Sequence, residues 1–287
     1  MEIVISKYMG FCFGVKRAIK LARDKRNEID KNIYTLGSII HNPQVVEKLR
    51  EEDIVPVDSL DDVDDGYVVI SSHGVSPEVQ DDIKKRNLKS IDATCPLVKR
   101  VQEKAMELVK EGYETFVVGE NEHPEVQGIV GYTGGKIKVL NPDGDIEIED
   151  KEKVGLVAQT TQTMKSFENA ILKILPKVKE LKIFNTICEV TDKRQKEVKK
   201  LSQIVDIMIV IGGKKSANTS RLATISKEGG CETHHIEEAI NINVDWFRNK
   251  KKVGVTAGAS TPDWIIKETI NKLNQIVKKN KEEELHE

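Results

Sequence analysis

The sequence lacks an excess of charge of either sign. Its 287 residues carry 45 Lys and Arg against 47 Asp and Glu, a formal charge of −2. That balance leaves no electrostatic footprint for DNA or RNA, although a local anion site is still permitted. No apolar run approaches the ~20 residues that a membrane-spanning helix needs. The opening residues, Met1-Glu2-Ile3-Val4-Ile5-Ser6-Lys7, have neither the basic start nor the long apolar centre of a secretory signal and read as a short strand. A cytoplasmic protein that touches neither membrane nor nucleic acid is therefore expected. Cysteine is sparse: four residues, widely separated, exclude a small disulfide scaffold. No Cys-x-x-Cys occurs, which removes a zinc ribbon. No Gly-x-x-x-x-Gly-Lys-Ser/Thr and no Gly-x-Gly-x-x-Gly occurs, so the common nucleotide-binding loops are missing too.

What is present is a repeated local setting for three of the four cysteines. The segments are Gly10-Phe11-Cys12-Phe13-Gly14-Val15-Lys16-Arg17, Ala93-Thr94-Cys95-Pro96-Leu97-Val98-Lys99-Arg100 and Thr186-Ile187-Cys188-Glu189-Val190-Thr191-Asp192-Lys193-Arg194. Each places a cysteine after a short apolar stretch and before a basic, amphipathic, helix-like one, once in each third of the chain. Each third then adds two more loops that follow a strand-like segment and precede a helix-like one. They centre on residues 41 and 73, on 123 and 160, and on 218 and 260. Strands and helices alternating at this spacing predict parallel α/β units, whose ligands bind beyond the carboxyl ends of the strands. The expected architecture is three pseudo-threefold-related α/β units around a central cavity. Their bounds are 13–95, 96–187 and 188–277, the last completed by an N-terminal strand in 1–12. Residues 278–287 form a charge run expected to fray.

Three thiolates are soft ligands that suit zinc, copper(I) or an iron–sulfur cluster. A cluster usually takes four cysteines; with three, one iron of a four-iron cluster stays open to substrate. The plainer reading is three buried cysteines without metal. Cys231, outside the pattern, reads as packing near a strand. The other loops carry His41, His73, His123, Glu125, Thr160, Thr161, Ser216, Asn218 and Ser260. Hydroxyls, an amide, imidazoles and helix-start N–H groups together suit a phosphate or diphosphate, with charged imidazoles adding attraction. Taken singly, each Ser, Thr or Asn reads as a helix cap. Glu125 has two readings: an enclosed carboxyl of raised pKa that passes protons, or a first-turn acid that complements the helix dipole.

Several ordered motifs now bear a family resemblance. Gly14-Val15-Lys16-Arg17-Ala18 after Cys12, His41-Asn42-Pro43, Ser72-His73-Gly74, Asp92-Ala93-Thr94-Cys95-Pro96, His123-Pro124-Glu125, Gln159-Thr160-Thr161, Ser216-Ala217-Asn218 and Thr256-Ala257-Gly258-Ala259-Ser260 occur in that order. Together they resemble the 4-hydroxy-3-methylbut-2-enyl diphosphate reductases of the IspH/LytB type, from Cys12 to about Ile276. The resemblance implies a [4Fe–4S] cluster on Cys12, Cys95 and Cys188 with one open iron that takes the hydroxyl of an allylic diphosphate. Two electrons and protons would remove that hydroxyl as water. The products would be isopentenyl and dimethylallyl diphosphates, at the last step of the methylerythritol phosphate pathway. It implies ferredoxin or flavodoxin as electron donor, Glu125 as proton source, and Thr160 and His123 near the hydroxyl. It also implies His41, His73, Ser216, Asn218 and Ser260 on the diphosphate, with Thr161 and Thr191 lining the cavity. Ala217 stands where some members have a second serine, which leaves a backbone N–H in its place. A monomer is expected. The competing readings are another three-cysteine [4Fe–4S] enzyme, such as a quinolinate-synthase-like dehydratase, and a non-enzymatic iron or redox sensor.

Overall fold

The structure, a computed structural model, describes residues 1–141, 144 and 149–284. The chain begins β1 (Glu2–Ile5), α1 (Phe13–Glu28), β2 (Ile33–Leu36), α2 (Pro43–Glu51), β3 (Ile54–Val57), β4 (Tyr67–Ile70), α3 (Pro77–Lys85) and β5 (Lys89–Asp92). It continues through α4 (Pro96–Lys110), β6 (Glu114–Val118), α5 (Pro124–Tyr132), β7 (Ile137–Leu140), β8 (Lys151–Ala158), α6 (Met164–Ile174) and β9 (Val178–Ile183). It ends with α7 (Glu189–Leu201), β10 (Ile207–Ile211), α8 (Ala217–Glu228), β11 (Glu232–Ile236), β12 (Lys252–Ala257) and α9 (Asp263–Glu284).

The strands form three four-stranded sheets ordered β3-β2-β4-β5, β7-β6-β8-β9 and β11-β10-β12-β1. Every pairing is parallel. Counted within its own stretch of chain, each sheet runs second strand, first, third, fourth. The last stretch supplies only β10, β11 and β12, and β1 takes the fourth place beside β12, with Glu2 opposite Lys252 and Ile5 opposite Val255. The three fourth strands, β5, β9 and β1, are the ones that lead to Cys95, Cys188 and Cys12. The three cysteines are therefore topological equivalents.

By packing, the chain divides into two units. One contains Met1–Cys12, His41–Val45 and Glu189–Glu287; the other contains Phe13–Ile40 and Val46–Cys188. In the first, every residue of β10, Ile207-Met208-Ile209-Val210-Ile211, is buried, as a parallel strand covered on both faces requires. Alternation sends Ile207, Ile209 and Ile211 into a core with Val253, Val255, Phe247 and Leu273. Met208 and Val210 go the other way, into a core with Val198, Leu222 and Cys231. In the second unit β6 behaves alike: Phe116 and Val118 pack with Leu156 and Phe167, while Val117 packs with Val101, Leu108 and Ile129. Helices on both faces leave the carboxyl ends of the strands open to loops, where the candidate residues sit.

The fraying expected from Lys278 is corrected: α9 continues to Glu284. Lys and Glu are strong helix formers, and residues 278–284 include neither Gly nor Pro to stop it. Residues 285–287 of that charge run lie outside the described residues. No helix among the described residues is long and apolar enough to cross a membrane.

Candidate active site

In the unit that holds β2 to β9, Glu125 and Thr160 form the best-defined polar pair. Pro124 opens α5, and His123 caps it by accepting the Glu125 N–H at Nδ1, 3.1 Å away. With Nδ1 accepting, the Nε2 side of the His123 ring is left to face other partners. Glu125 follows inside the first turn and is 2% exposed. The loop after β8 meets it there: Thr160 donates its N–H to Oε1 at 2.6 Å and its hydroxyl to Oε2 at 2.7 Å. Burial pushes the Glu125 carboxyl up to about 7, the two Thr160 hydrogen bonds pull against that rise, and Glu120 adds a further upward push. The Thr160 carbonyl accepts the N–H of Cys188 at 2.9 Å, so the carboxyl pair and one cysteine share a single loop residue.

Neighbouring loops support this pair. Gln159, fully buried, accepts the Glu120 N–H at 3.0 Å and donates to the Thr161 hydroxyl at 2.8 Å. His73, in the loop after β4, stands edge-on to His123 with ring centres 5.6 Å apart. Cys95 occupies the cap position of α4, just before Pro96, and its N–H donates to Ser72 at 3.0 Å. Its loop is shaped by Asp92, which accepts the Thr94 N–H at 3.0 Å, and by Arg17, whose guanidinium reaches the Thr94 carbonyl at 3.1 Å.

The other unit assembles His41, Ser216, Asn218 and Ser260. Ser216 caps α8 and accepts the Thr219 N–H at 3.4 Å. The Ser260 hydroxyl, in the loop after β12, lies 3.2 Å from the His41 carbonyl and 3.4 Å from the Ser216 hydroxyl. Gly213 lets the His41 backbone approach this closely, because a Cβ there would stand 2.5 Å from the His41 carbonyl oxygen. Ala217 and Asn218 open α8, where backbone N–H groups have no intrahelical acceptor. The Asn218 side chain is 4% exposed, and neither its oxygen nor its nitrogen has a partner. Burial, and then the charge of Lys215, hold His41 below the ordinary imidazole value. The expectation of charged imidazoles is therefore corrected for His41, which is desolvated beside a cation.

Cys12 lies in this unit, and its N–H donates to Ala259 at 3.1 Å. Thr191 is buried on α7. None of the four cysteines is in a disulfide; Cys12, Cys95 and Cys188 are partly exposed, whereas Cys231 is buried. Among the described residues no three His, Cys, Asp or Glu side chains gather closely enough to hold a single metal ion. His234 stacks on Trp246, and His235 hydrogen-bonds the Gly212 carbonyl at 2.8 Å.

Three residues escaped the sequence reading. Gln159 stood in the Gln159-Thr160-Thr161 motif without a role of its own. Arg194 and Glu197 looked like members of a solvated basic helix, yet Arg194 is 4% exposed and donates to the carbonyls of Gly10 at 2.6 Å and Ala257 at 3.3 Å. A signal existed: Arg194 stands four and seven residues before Val198 and Leu201, on the buried side of α7.

Comparison with known proteins gives one consistent result. Residues 3–274 match the LytB protein family. The 4-hydroxy-3-methylbut-2-enyl diphosphate reductase of Citrifermentans bemidjiense is 48% identical over 280 residues, covering 97% of this chain and 99% of that protein. The protein of the same name from Aquifex aeolicus is 48% identical, covering 96% and 97%. A solved structure of (E)-4-hydroxy-3-methyl-but-2-enyl diphosphate reductase, described as the terminal enzyme of the non-mevalonate pathway, shares 44% identity and a TM-score of 0.69 over 96% of this chain and all of that one. The structure of the E-1-hydroxy-2-methyl-but-2-enyl-4-diphosphate reductase from Plasmodium falciparum shares 28% identity and a TM-score of 0.87, over 96% of this chain and 87% of that one.

Proposed function

The chain belongs to the LytB protein family, and from that membership we propose that it is a 4-hydroxy-3-methylbut-2-enyl diphosphate reductase, acting at the end of the non-mevalonate isoprenoid pathway. The allylic alcohol of the substrate loses its hydroxyl as water, and the carbon skeleton gains a hydrogen in its place. Two electrons and two protons enter per turnover, and either isopentenyl or dimethylallyl diphosphate leaves with one water. Relatives this similar over nearly full length carry the reductase name, which removes the dehydratase and sensor readings.

The donor set fits a [4Fe–4S] cluster. Cys12, Cys95 and Cys188 are partly exposed and form no disulfide, each lies in the loop after an equivalent strand, and each immediately precedes a helix. Helix N-termini favour thiolates and an anionic group. We assign these three cysteines as the ligands and leave Cys231 in its apolar core. When bound, the cluster supplies the electrons and, at the iron without a cysteine, a Lewis-acid contact for the substrate hydroxyl. Ferredoxin or flavodoxin is the proposed donor to it, and a monomer the proposed working form.

The protein's own residues handle binding and protons. The single observation that carries the reading is the buried Glu125–Thr160 pair. A carboxyl whose pKa is pushed to about 7 holds a proton in about half of the molecules at neutral pH and can release it there. Thr160 bonds both carboxyl oxygens and is the relay: protonated Glu125 donates to the Thr160 oxygen, whose own O–H turns toward the departing hydroxyl. His123 is a second donor. Ser216, Ser260, His41, His73 and the helix-start N–H groups of Ala217 and Asn218 hold the diphosphate, and Thr161 and Thr191 line the cavity. The two unpartnered atoms of Asn218 suit that role, since a buried amide without partners is costly until a ligand satisfies it.

The test is direct. Anaerobically reconstituted protein, reduced with a viologen dye, should convert the hydroxy diphosphate to the two isoprenyl diphosphates, identified by mass spectrometry. Iron-loaded protein that makes neither product overturns the assignment.

A further inference from the structure

The segment that carries Cys12 is held in an unusual way. Up to Ser6, whose N–H donates to Val255 at 2.9 Å, it belongs to the ladder with β12. Beyond Ser6 it leaves the sheet, and α7 takes over. Glu197 accepts the N–H groups of Lys7 at 2.8 Å and Tyr8 at 2.9 Å, together with the Ser6 hydroxyl. Three residues earlier on the same side of α7, Arg194 donates to the Gly10 carbonyl. Gly10 has φ +81°, and a Cβ there would lie 3.1 Å from Asp263 and 3.3 Å from Ile266, so the turn that aims this carbonyl at Arg194 requires glycine. The other arm of the same guanidinium holds the Ala257 carbonyl, where β12 ends and the Ser260 loop begins.

Packing alone does not call for an arginine here. Desolvating a guanidinium is costly, and the same face of α7 buries Val198 and Leu201 against the sheet without one. What the arginine adds is a planar fork that reaches two carbonyls on two separate segments, which a lysine ammonium cannot do with the same fixed geometry. One segment ends two residues before Cys12; the other ends three before Ser260.

We propose that Arg194 is a positioning residue that sets the Cys12 loop and the Ser260 loop against each other, with Glu197 bracing the approach to Cys12. One side chain thereby couples presentation of a cluster ligand to presentation of a diphosphate ligand. The inference rests on the roles assigned above to Cys12 and Ser260, but its first test does not.

The full-length chain is compared with Arg194→Gln, Arg194→Lys, Glu197→Gln and Leu273→Ala. The last truncates a buried apolar side chain of α9 that holds neither loop by a hydrogen bond, and it matches a general loss of stability. In metal-free protein, alkylation of each cysteine by iodoacetamide is followed by mass spectrometry. The Arg194 variants should raise the rate at Cys12 several-fold relative to Cys95, with Cys231 still protected; Leu273→Ala should not change the ratio. After anaerobic reconstitution they should bind less iron per chain. What loads should show a raised KM for the hydroxy diphosphate as well as a lowered kcat, and Arg194→Lys should restore less than half of either. If Arg194→Gln does not fold, Arg194→Lys and Glu197→Gln decide by the same ratio. A Cys12 to Cys95 ratio equal to that of Leu273→Ala, or a parallel rise at Cys231, overturns the proposal. Wild-type protein that loads iron and makes no isoprenyl diphosphate defeats the reductase reading instead, and leaves the alkylation ratio to judge Arg194.

Discussion

Replacing Glu125 with Gln should change how stability depends on pH, and the structure sets the size of the effect. Glu125 is fully enclosed and its carboxyl is pushed from 4.5 to about 7. Between those values the unfolded chain has already released this proton while the folded chain keeps it. The folded state binds more protons there, so stability falls as pH rises through the window and levels off above about 7. At about 1.4 kcal/mol per pH unit, this one group takes away about 3 kcal/mol across the whole window. Gln has the size of protonated Glu, does not titrate, and can still accept the Thr160 N–H while its NH2 donates to the Thr160 oxygen. At about pH 5 the two proteins should be nearly equal in stability. By about pH 8 the variant should lead by about 2 to 3 kcal/mol. Urea unfolding of the metal-free proteins across that range, followed by circular dichroism, measures the difference, and subtracting the curves cancels every other titrating group. Parallel curves would refute the raised pKa and, with it, the claim that a neutral carboxylic acid waits in the site. The same variant should load its cluster and lose most turnover, because the proton donor is gone while the ligands remain.

Removing the Thr160 hydroxyl with Thr160→Val takes away a hydrogen bond that favours the charged carboxylate, worth about 1.5 to 3 kcal/mol. The acidic group seen in the pH–rate profile of the residual turnover should therefore move up by about 1 to 2 units; a downward move would contradict the Thr160–Glu125 hydrogen bond, and undiminished turnover would contradict the relay. Asn218→Leu replaces two unsatisfied buried atoms with an apolar group of similar shape. It should raise the unfolding free energy of the ligand-free protein, read by urea denaturation, by about 1 kcal/mol or more, while raising KM for the diphosphate; lower stability with unchanged KM would show that the amide has no ligand to bind. Cys12→Ser, Cys95→Ser and Cys188→Ser should each lose iron on reconstitution, whereas Cys231→Ser should keep it, and equal losses at all four would defeat the ligand assignment. Gly213→Ala should displace the His41 carbonyl, since its Cβ would fall 2.5 Å from that oxygen, and should weaken substrate binding without changing iron content.

Much of the architecture could be read from the chain, and the exceptions share a cause. β10 announces itself as five consecutive apolar residues, and the three cysteine segments betray the repeat by their common context. β3 and β7 were not foreseen. Each is a four-residue edge strand with no apolar alternation long enough to register, and Pro56 in β3 argues against a strand except at an edge. The loops carrying Glu125 and Thr160 were visible as separate polar clusters, but their contact joins residues 35 positions apart and depends on β6 and β8 being neighbours. Arg194 was hidden for a related reason. Lys193 and Lys196 beside it are charged and exposed, and only the return of Gly10 and Ala257 to the same side of α7 turns a surface-looking cation into a buried fork.

The pairing of β1 with β12 has a consequence for biogenesis. A strand near residue 2 is completed by one near residue 252, so the Cys12 segment finds its place only after the stretch around β12 has left the ribosome. At roughly 5 to 20 residues per second, that is a wait of the order of ten seconds to a minute. The other two sheets draw all their strands from shorter, earlier stretches of chain and are free to form during that interval. With the proposed cluster ligands, iron delivery would follow synthesis rather than accompany it, because the first cysteine made is the last to be seated.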